Sequence, residues 1–135
     1  AAAETLRREG YDGPVTLVDP DPGAPCDRPN LSKDYLAGTA PLDWIPLHDA
    51  AFYADQNIEV IRARATALDP RAHRLTLEDG RTVEYGALVL ATGADRSRLP
   101  RANEGIDVHV LRTLAASSAI IAAAITITAI IDIRP

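Results

Sequence analysis

The fold class of this protein is indicated by residues 1–18, AAAETLRREGYDGPVTLV. Residues 1–9 favour a helix and Gly10 is a typical helix stop, although no Ser, Thr, Asp or Asn caps the start. Residues 15–18 are rich in β-branched side chains and predict a strand. A helix that leads into a strand in this way is typical of the second half of a strand-helix-strand unit. We therefore expect an α/β fold.

A proline-rich connection, DPDPGAP at residues 19–25, follows the predicted strand. It can be neither helix interior nor central strand, because proline lacks the required N–H donor. Ligands of open α/β sheets bind at the carboxyl ends of the strands, so this connection marks the expected ligand edge. Two short helices are predicted beside it, one over residues 31–36 and one over residues 48–55 that starts at His48 or Asp49.

The second half of the chain predicts further strands. Residues 58–61 predict one short strand. Residues 74–77 and 82–85 predict two more, which flank an Asp-Gly dipeptide. An Asp-Gly dipeptide between alternating segments is a strong hairpin signal. Residues 87–91, ALVLA, are uniformly apolar, which predicts a strand covered on both faces.

The end of the sequence contains a long uncharged run, from Thr113 to Ile131. Its alanine-rich part predicts a helix that ends near residue 124. The β-branched residues 125–131 predict a buried strand. A membrane-spanning segment is a less favoured alternative, because the run barely reaches the necessary length of about 20 residues.

Composition excludes several classes of function. A net charge of -5, with arginines scattered along the chain, argues against nucleic-acid binding. Cys26 is the single cysteine, so no intramolecular disulfide can form, and a reducing compartment such as the cytoplasm is expected. The three histidines are irregularly spaced and predict no metal site. Trp44 is expected to have a packing role rather than to contact a ligand or partner. Lys33 is the one lysine among 14 basic residues, which singles it out.

Three motifs carry a resemblance to a known family. They are CDRPNLSK at residues 26–33, LVLATG at 88–93 after the predicted hairpin, and LRTL at 111–114. In this order and spacing, they resemble the FAD domain of the FAD-dependent pyridine nucleotide-disulfide oxidoreductases, in the ferredoxin reductase and apoptosis-inducing-factor-like branch. The resemblance covers residues 1 to about 124. Asn30 in the first motif and DWIPL at 43–47 make it nearer to the apoptosis-inducing-factor-like members.

The resemblance implies a partial Rossmann-like FAD-binding domain over residues 1–112, with three layers, a parallel sheet and a β-meander. The family's first strand and its glycine-rich turn would precede Ala1, and both are missing from the sequence. Residues 113–135 would form a linker helix and the start of a truncated NAD(P)H-binding domain. No second glycine-rich turn occurs in this segment.

The resemblance also implies roles for individual residues. Lys33 would be the catalytic residue beside the reactive flavin nitrogen, and Arg28 would be a second basic contact. The family's ribose-binding acid falls on Pro20, so Asp19 or Asp21 would take that role, unless both only begin turns. The remaining FAD contacts would be the backbone of Ala65 and the residues Thr92, Gly93 and Arg112. Alternatives without a role in FAD binding stay open for these residues. Arg28 could form an exposed ion pair, Arg112 could face solvent at the helix start, and the others could have plain strand or turn roles.

In this family, NAD(P)H reduces FAD, and FAD passes electrons to an iron-sulfur protein of ferredoxin, rubredoxin or Rieske type. The sequence is therefore expected to be the FAD-binding portion of such an oxidoreductase. One alternative is a noncatalytic truncated remnant that acts as a structural or interaction module. Another, a single-domain NAD-dependent dehydrogenase, is disfavoured by the Arg28 and Lys33 pair. Exposed apolar surface at the two ends makes self-association a further expectation.

Overall fold

The computed structural model of this protein describes residues 1–94 and 109–131, which form two compact units. The first unit is Ala1–Cys26 with Pro46–Leu90, and the second unit is Asp27–Ile45 with Ala91–Pro135. The elements of the first unit are α1 (Ala2–Arg8), β1 (Val15–Val18), α2 (Ala50–Asp55), β2 (Ile58–Ile61), β3 (Ala65–Asp69), β4 (Arg74–Leu77) and β5 (Thr82–Glu84). Those of the second unit are two 3-10 helices, Arg28–Ser32 and Leu42–Trp44, and α3 (Leu114–Ile131).

The strands β1 and β2 form a parallel pair with Val15 opposite Ile58. Both occupy the predicted ranges, and α1 begins without a side-chain cap, as expected. Because the strands are parallel, they require a crossover, and α2 lies in it immediately before β2. The buried residues of this core are Ala3, Tyr53 and Ile58. Burial raises the pKa of the Tyr53 hydroxyl, and the nearby Arg62 charge opposes this shift.

Arg7 connects α1 to the segments that precede β1 and β2. Its guanidinium donates hydrogen bonds to the carbonyls of Tyr11 and Gly13, at 2.7 and 2.8 Å, in the connection between α1 and β1. It donates two more to Gln56 and Asn57, also at 2.7 and 2.8 Å, between α2 and β2. The planar fork of arginine allows one side chain to satisfy four carbonyls.

The strands β3, β4 and β5 form an antiparallel meander. Its tight turn contains Asp79 and Gly80, and Gly80 has a φ of 84°, which glycine adopts without steric cost. The Asp79 carboxylate accepts hydrogen bonds from the side chain and the backbone N–H of Arg81, and these lower its pKa. The predicted hairpin and the combination of a parallel sheet with a meander are therefore confirmed. The buried residues of its core are Ala63 and, from β4 itself, Leu75 and Leu77.

The Asp49 carboxylate caps α2 by accepting a hydrogen bond from the Phe52 N–H at 2.8 Å. We expect Asp49→Ala to lower the free energy of unfolding of the first unit by about 1 kcal/mol, because an N–H group at the helix start loses its acceptor. Urea unfolding followed by far-UV circular dichroism measures this. Asp55→Ala is the control, since a carboxylate at the last residue of α2 opposes the helix dipole and its removal should not destabilise. An equal loss in both variants would contradict a capping role.

The helix predicted over residues 31–36 is wrong in its position and type. A 3-10 helix covers Arg28–Ser32, and turns follow up to Gly38. The Asn30 carbonyl accepts hydrogen bonds from the N–H groups of both Lys33 and Tyr35, so no regular ladder of α-helical bonds develops there. A segment of this length also gains too few hydrogen bonds to offset helix nucleation.

The prediction of a covered strand at residues 87–91 is also wrong. No strand is assigned there, and Val89 and Leu90 are 73% and 65% exposed. A strand needs a neighbour for its backbone N–H and C=O groups. Within the described residues, β1 and β2 pair with each other and no strand pairs with this segment. Apolar character alone therefore does not make the segment a strand.

Residues 125–131 are helical, which corrects the predicted buried strand. The helix α3 runs without a break from Leu114 to Ile131. Helical hydrogen bonds are local and continue from the alanine-rich start, whereas a strand would require a partner. None of the helices in the described residues combines the length and apolar character needed to cross a membrane. The domain boundary at residue 112 stays a prediction, and residues 132–135 lie outside the described residues.

Trp44 does not pack into a core. It ends the 3-10 helix Leu42–Trp44 and is 67% exposed. The next residue, Ile45, is fully buried instead. In this short helix, the aliphatic neighbour takes the packing role that the sequence assigned to the tryptophan.

Candidate functional site

The second unit contains a cleft of about 450 Å³. Three chain segments line it: the 3-10 helix Arg28–Ser32, residues 91–94, and the two residues before Thr113. The lining residues are Arg28, Leu31, Ser32, Ala91, Thr92, Gly93, Ala94, Leu111 and Arg112. Hence the structure brings together four of the eight residues singled out by sequence, namely Arg28, Thr92, Gly93 and Arg112.

The 3-10 helix presents Arg28 to this cleft. Pro29 stands in its first turn, where a missing N–H costs nothing. Residues three apart lie on the same side of such a helix, so Arg28 and Leu31 both reach the cleft. Leu31 is 1% exposed and anchors the helix, while Arg28 remains exposed. The Ser32 hydroxyl donates to the Pro29 carbonyl at 3.1 Å, which closes the turn.

Gly93 allows the Arg112 side chain to approach the backbone. Its φ is 70°, a conformation that residues with a Cβ rarely adopt. A Cβ placed on Gly93 would lie 2.9 Å from Nη2 of Arg112. The positive φ therefore favours glycine at this position, whereas the guanidinium, at the end of a flexible side chain, could move aside for a Cβ.

Arg112 is held at the start of α3. The Thr113 hydroxyl accepts a hydrogen bond from the Ala116 N–H at 3.1 Å, as an N-cap residue does. Arg112 precedes this cap directly. Since the start of a helix carries a partial positive charge, the helix start and the guanidinium place positive potential on the same part of the unit.

The chemistry of the cleft suits an anion attached to a flat group. Two guanidiniums line it, and none of its lining residues is acidic. Arginine binds phosphate and carboxylate through paired hydrogen bonds and stacks on planar rings. Residues 91–94, Ala-Thr-Gly-Ala, leave the backbone accessible because their side chains are small.

The other predicted site residues lie outside the cleft lining. Lys33 directly follows the 3-10 helix and is exposed, with its backbone N–H bonded to the Asn30 carbonyl. Asp19 and Asp21 follow β1 in the first unit, where the Asp19 carboxylate accepts the Asp21 N–H at 3.0 Å. This bond is what a turn-forming aspartate makes. Ala65 is the exposed first residue of β3.

Sequence reasoning missed Leu31, Ser32 and Leu111 as lining residues. All three lie inside the motifs at residues 26–33 and 111–114. The three-residue period of a 3-10 helix from Arg28 would have identified Leu31. The helix predicted at residues 31–36 did not include Arg28, so it gave no indication that Arg28 and Leu31 lie on the same side of one helix.

Comparison with known proteins gives consistent matches. The model of the family described as "Pyridine nucleotide-disulphide oxidoreductase" matches residues 1–130. Rhodocoxin reductase of Rhodococcus erythropolis is 38% identical over 114 residues, which are 83% of this chain and 27% of that protein. The ferredoxin--NAD(+) reductase component of the p-cumate 2,3-dioxygenase system of Pseudomonas putida is 38% identical over 111 residues, 81% of this chain and 27% of that protein.

Two solved structures are also similar. The covalent putidaredoxin reductase-putidaredoxin complex matches with a TM-score of 0.82 and 35% identity, over 90% of this chain and 30% of that chain. The ferredoxin reductase for the CYP199A2 system from Rhodopseudomonas palustris matches with a TM-score of 0.78 and 35% identity, over 89% of this chain and 30% of that chain. This chain thus spans less than a third of the length of these relatives.

Proposed function

Because this chain belongs to the pyridine nucleotide-disulphide oxidoreductase family, within its ferredoxin reductase branch, we propose that it is the FAD-binding portion of an NAD(P)H-dependent flavoprotein oxidoreductase. The proposed electron acceptor is an iron-sulfur protein of ferredoxin, rubredoxin or Rieske type. Relatives named as ferredoxin reductase components, and a reductase solved in complex with putidaredoxin, support this choice. The observation that carries the proposal is the cleft with its two arginines.

The cleft residues fit FAD by their donor chemistry. The cleft has a volume of about 450 Å³, which is within the ordinary range of cofactor sites, about 300–1,000 Å³. Arg28 and Arg112 would hold the anionic groups of the dinucleotide through charge-assisted hydrogen bonds. Thr92 and Gly93 would let a planar ring approach the backbone, because the exposed segment at residues 91–94 has small side chains.

When bound, FAD supplies the conversion between the electron pair of NAD(P)H and the single electrons that an iron-sulfur protein accepts. The chain's own residues would position the cofactor and adjust its charge environment. Lys33 is proposed to supply a fixed positive charge for the flavin, because it is the single lysine and follows the cleft-lining helix. The other proposed contacts are Asp19 or Asp21 for the ribose and the backbone of Ala65 for adenine.

Titration of the chain with FAD tests this function. We expect saturable binding, detected by quenching of flavin fluorescence, and about tenfold weaker binding by Arg112→Met, because one charge-assisted contact is lost. Arg71→Met is the control, since Arg71 is exposed in the turn between β3 and β4 of the first unit. The proposal would be contradicted if the unsubstituted chain showed no detectable FAD binding. It would also be contradicted if Arg112→Met bound FAD as tightly as the unsubstituted chain.

A further inference from the structure

A serine of α3 outside the cleft lining is fully buried. Among the described residues, Ser117 is the buried polar residue, with an exposed fraction of 0%. Its hydroxyl donates a hydrogen bond of 2.9 Å to the carbonyl of Leu31. A buried hydroxyl is costly unless it is hydrogen bonded, and serine is a poorer helix former than the alanines at 115 and 116. At this position serine supplies a hydrogen bond to the Leu31 carbonyl that alanine could not supply.

The acceptor of this bond belongs to the helix that lines the cleft. Carbonyls in the last turn of a helix lack a regular backbone N–H partner and must find other donors. The Asn30 carbonyl is satisfied by the Lys33 N–H, and the Pro29 carbonyl by the Ser32 hydroxyl. The Leu31 carbonyl is satisfied by Ser117, 86 residues further along the chain. The bond therefore fixes the first turns of α3 against the 3-10 helix.

Both elements joined by this bond present a guanidinium to the cleft. Arg28 is the first residue of the 3-10 helix, and Arg112 stands directly before the cap of α3. The Ser117 N–H also donates to the Thr113 carbonyl at 3.0 Å, so the serine and the cap belong to one rigid turn. A shift of that turn relative to the 3-10 helix would change the distance between the two guanidiniums.

We propose that Ser117 is a positioning residue that sets the separation of Arg28 and Arg112 across the cleft. It acts through the Leu31 carbonyl and need not touch the ligand. The inference rests on the proposed function, because FAD is the ligand proposed for the two arginines. Sub-ångström placement of binding groups strongly affects affinity, so loss of this bond should weaken binding and alter the surroundings of the bound flavin.

The test compares Ser117→Ala with Ser118→Ala in the full chain. Ser118 is the matched control, because it follows Ser117 in α3 and also makes a hydroxyl contact, 3.0 Å from the Tyr35 hydroxyl, but it is exposed and Tyr35 does not line the cleft. We expect the dissociation constant for FAD to rise about tenfold in Ser117→Ala and less than twofold in Ser118→Ala. The visible circular dichroism of bound FAD should change in the first variant only. A purely structural role would lower the melting temperature without changing that spectrum.

Ser117→Cys keeps the size of the side chain with a weaker donor, so it tests the proposal even if Ser117→Ala does not fold. Its affinity for FAD should lie between those of Ser117→Ala and the unsubstituted chain. Unchanged FAD affinity and dichroism in the Ser117 variants, while the unsubstituted chain binds FAD, would overturn this inference alone. Absence of FAD binding by the unsubstituted chain would overturn the proposed function and this inference with it.

Discussion

Replacing Arg28 and Arg112 together by methionine is expected to weaken FAD binding by about 100-fold or more. Each charge-assisted hydrogen bond to an anionic group contributes about 1.5 kcal/mol or more, and tenfold in affinity corresponds to about 1.4 kcal/mol. Arg28 and Arg112 are the two basic residues among those lining the cleft, so the double variant leaves no basic side chain in that lining. Fluorescence titration of the double variant measures the loss.

The two single variants complete a cycle with the double variant. If the arginines hold one ligand, their effects should depart from additivity, since the remaining guanidinium can shift toward the anion when its neighbour is lost. Added salt should also weaken binding more in the unsubstituted chain than in the double variant, because salt screens exposed charges. A double variant with nearly unchanged affinity would place the anionic group of FAD elsewhere.

Arg7→Ala is expected to lower the free energy of unfolding of the first unit by about 2 to 4 kcal/mol. The substitution removes four hydrogen bonds to carbonyls and leaves those acceptors to water where water can reach them. The loss should be confined to the first unit, because the four acceptor carbonyls lie in the segments that precede β1 and β2. Chemical denaturation followed by far-UV circular dichroism gives the value.

Arg8→Ala is the matched control for this prediction. Arg8 lies in the same last turn of α1, but its side chain is 68% exposed and its ion pair is with the adjacent Glu9. Exposed ion pairs of this kind contribute about 0–1 kcal/mol, so a small change is expected. Arg7→Lys should behave almost like Arg7→Ala, because one ammonium cannot reach all four carbonyls. A large loss in Arg8→Ala and a small one in Arg7→Ala would contradict the assigned role of Arg7.

Local signals in the sequence predicted the parallel strand pair and the meander turn of the first unit well. The β-branched runs gave β1 and β2 at the correct residues, and Asp79 and Gly80 fixed the turn of the meander. The solved structures that match this chain also confirm the predicted Rossmann-like α/β class. These features depend on neighbours in sequence or on periodic burial, which a single sequence displays directly.

Two of the errors concern segments whose structure depends on distant partners. The apolar residues 87–91 and the β-branched residues 125–131 both resemble buried strands, yet strand formation requires another strand to pair with. Without one in the described part of the chain, the first segment is irregular and the second continues a helix. Whether a segment is buried and pairs with another strand depends on the tertiary structure, which the amino-acid composition of the segment does not reveal.

The candidate site was predicted in part. The motifs at residues 26–33, 88–93 and 111–114 identified four residues that line one cleft. The bond from Ser117 to Leu31 could not be anticipated, since a serine in an alanine-rich helix gives no sign of an acceptor 86 residues away. The roles of Lys33, Asp19, Asp21 and Ala65 stay predictions.

The exposed indole of Trp44 has a practical consequence for all of these measurements. It is the single tryptophan of the chain and belongs to the second unit, which also contains the cleft. Selective excitation of indole therefore yields emission from this unit alone, without any added dye. Because Trp44 is already 67% exposed, its emission wavelength should shift little on unfolding. A loss of indole intensity on adding FAD would then report energy transfer to bound flavin, an optical readout that requires no engineered label.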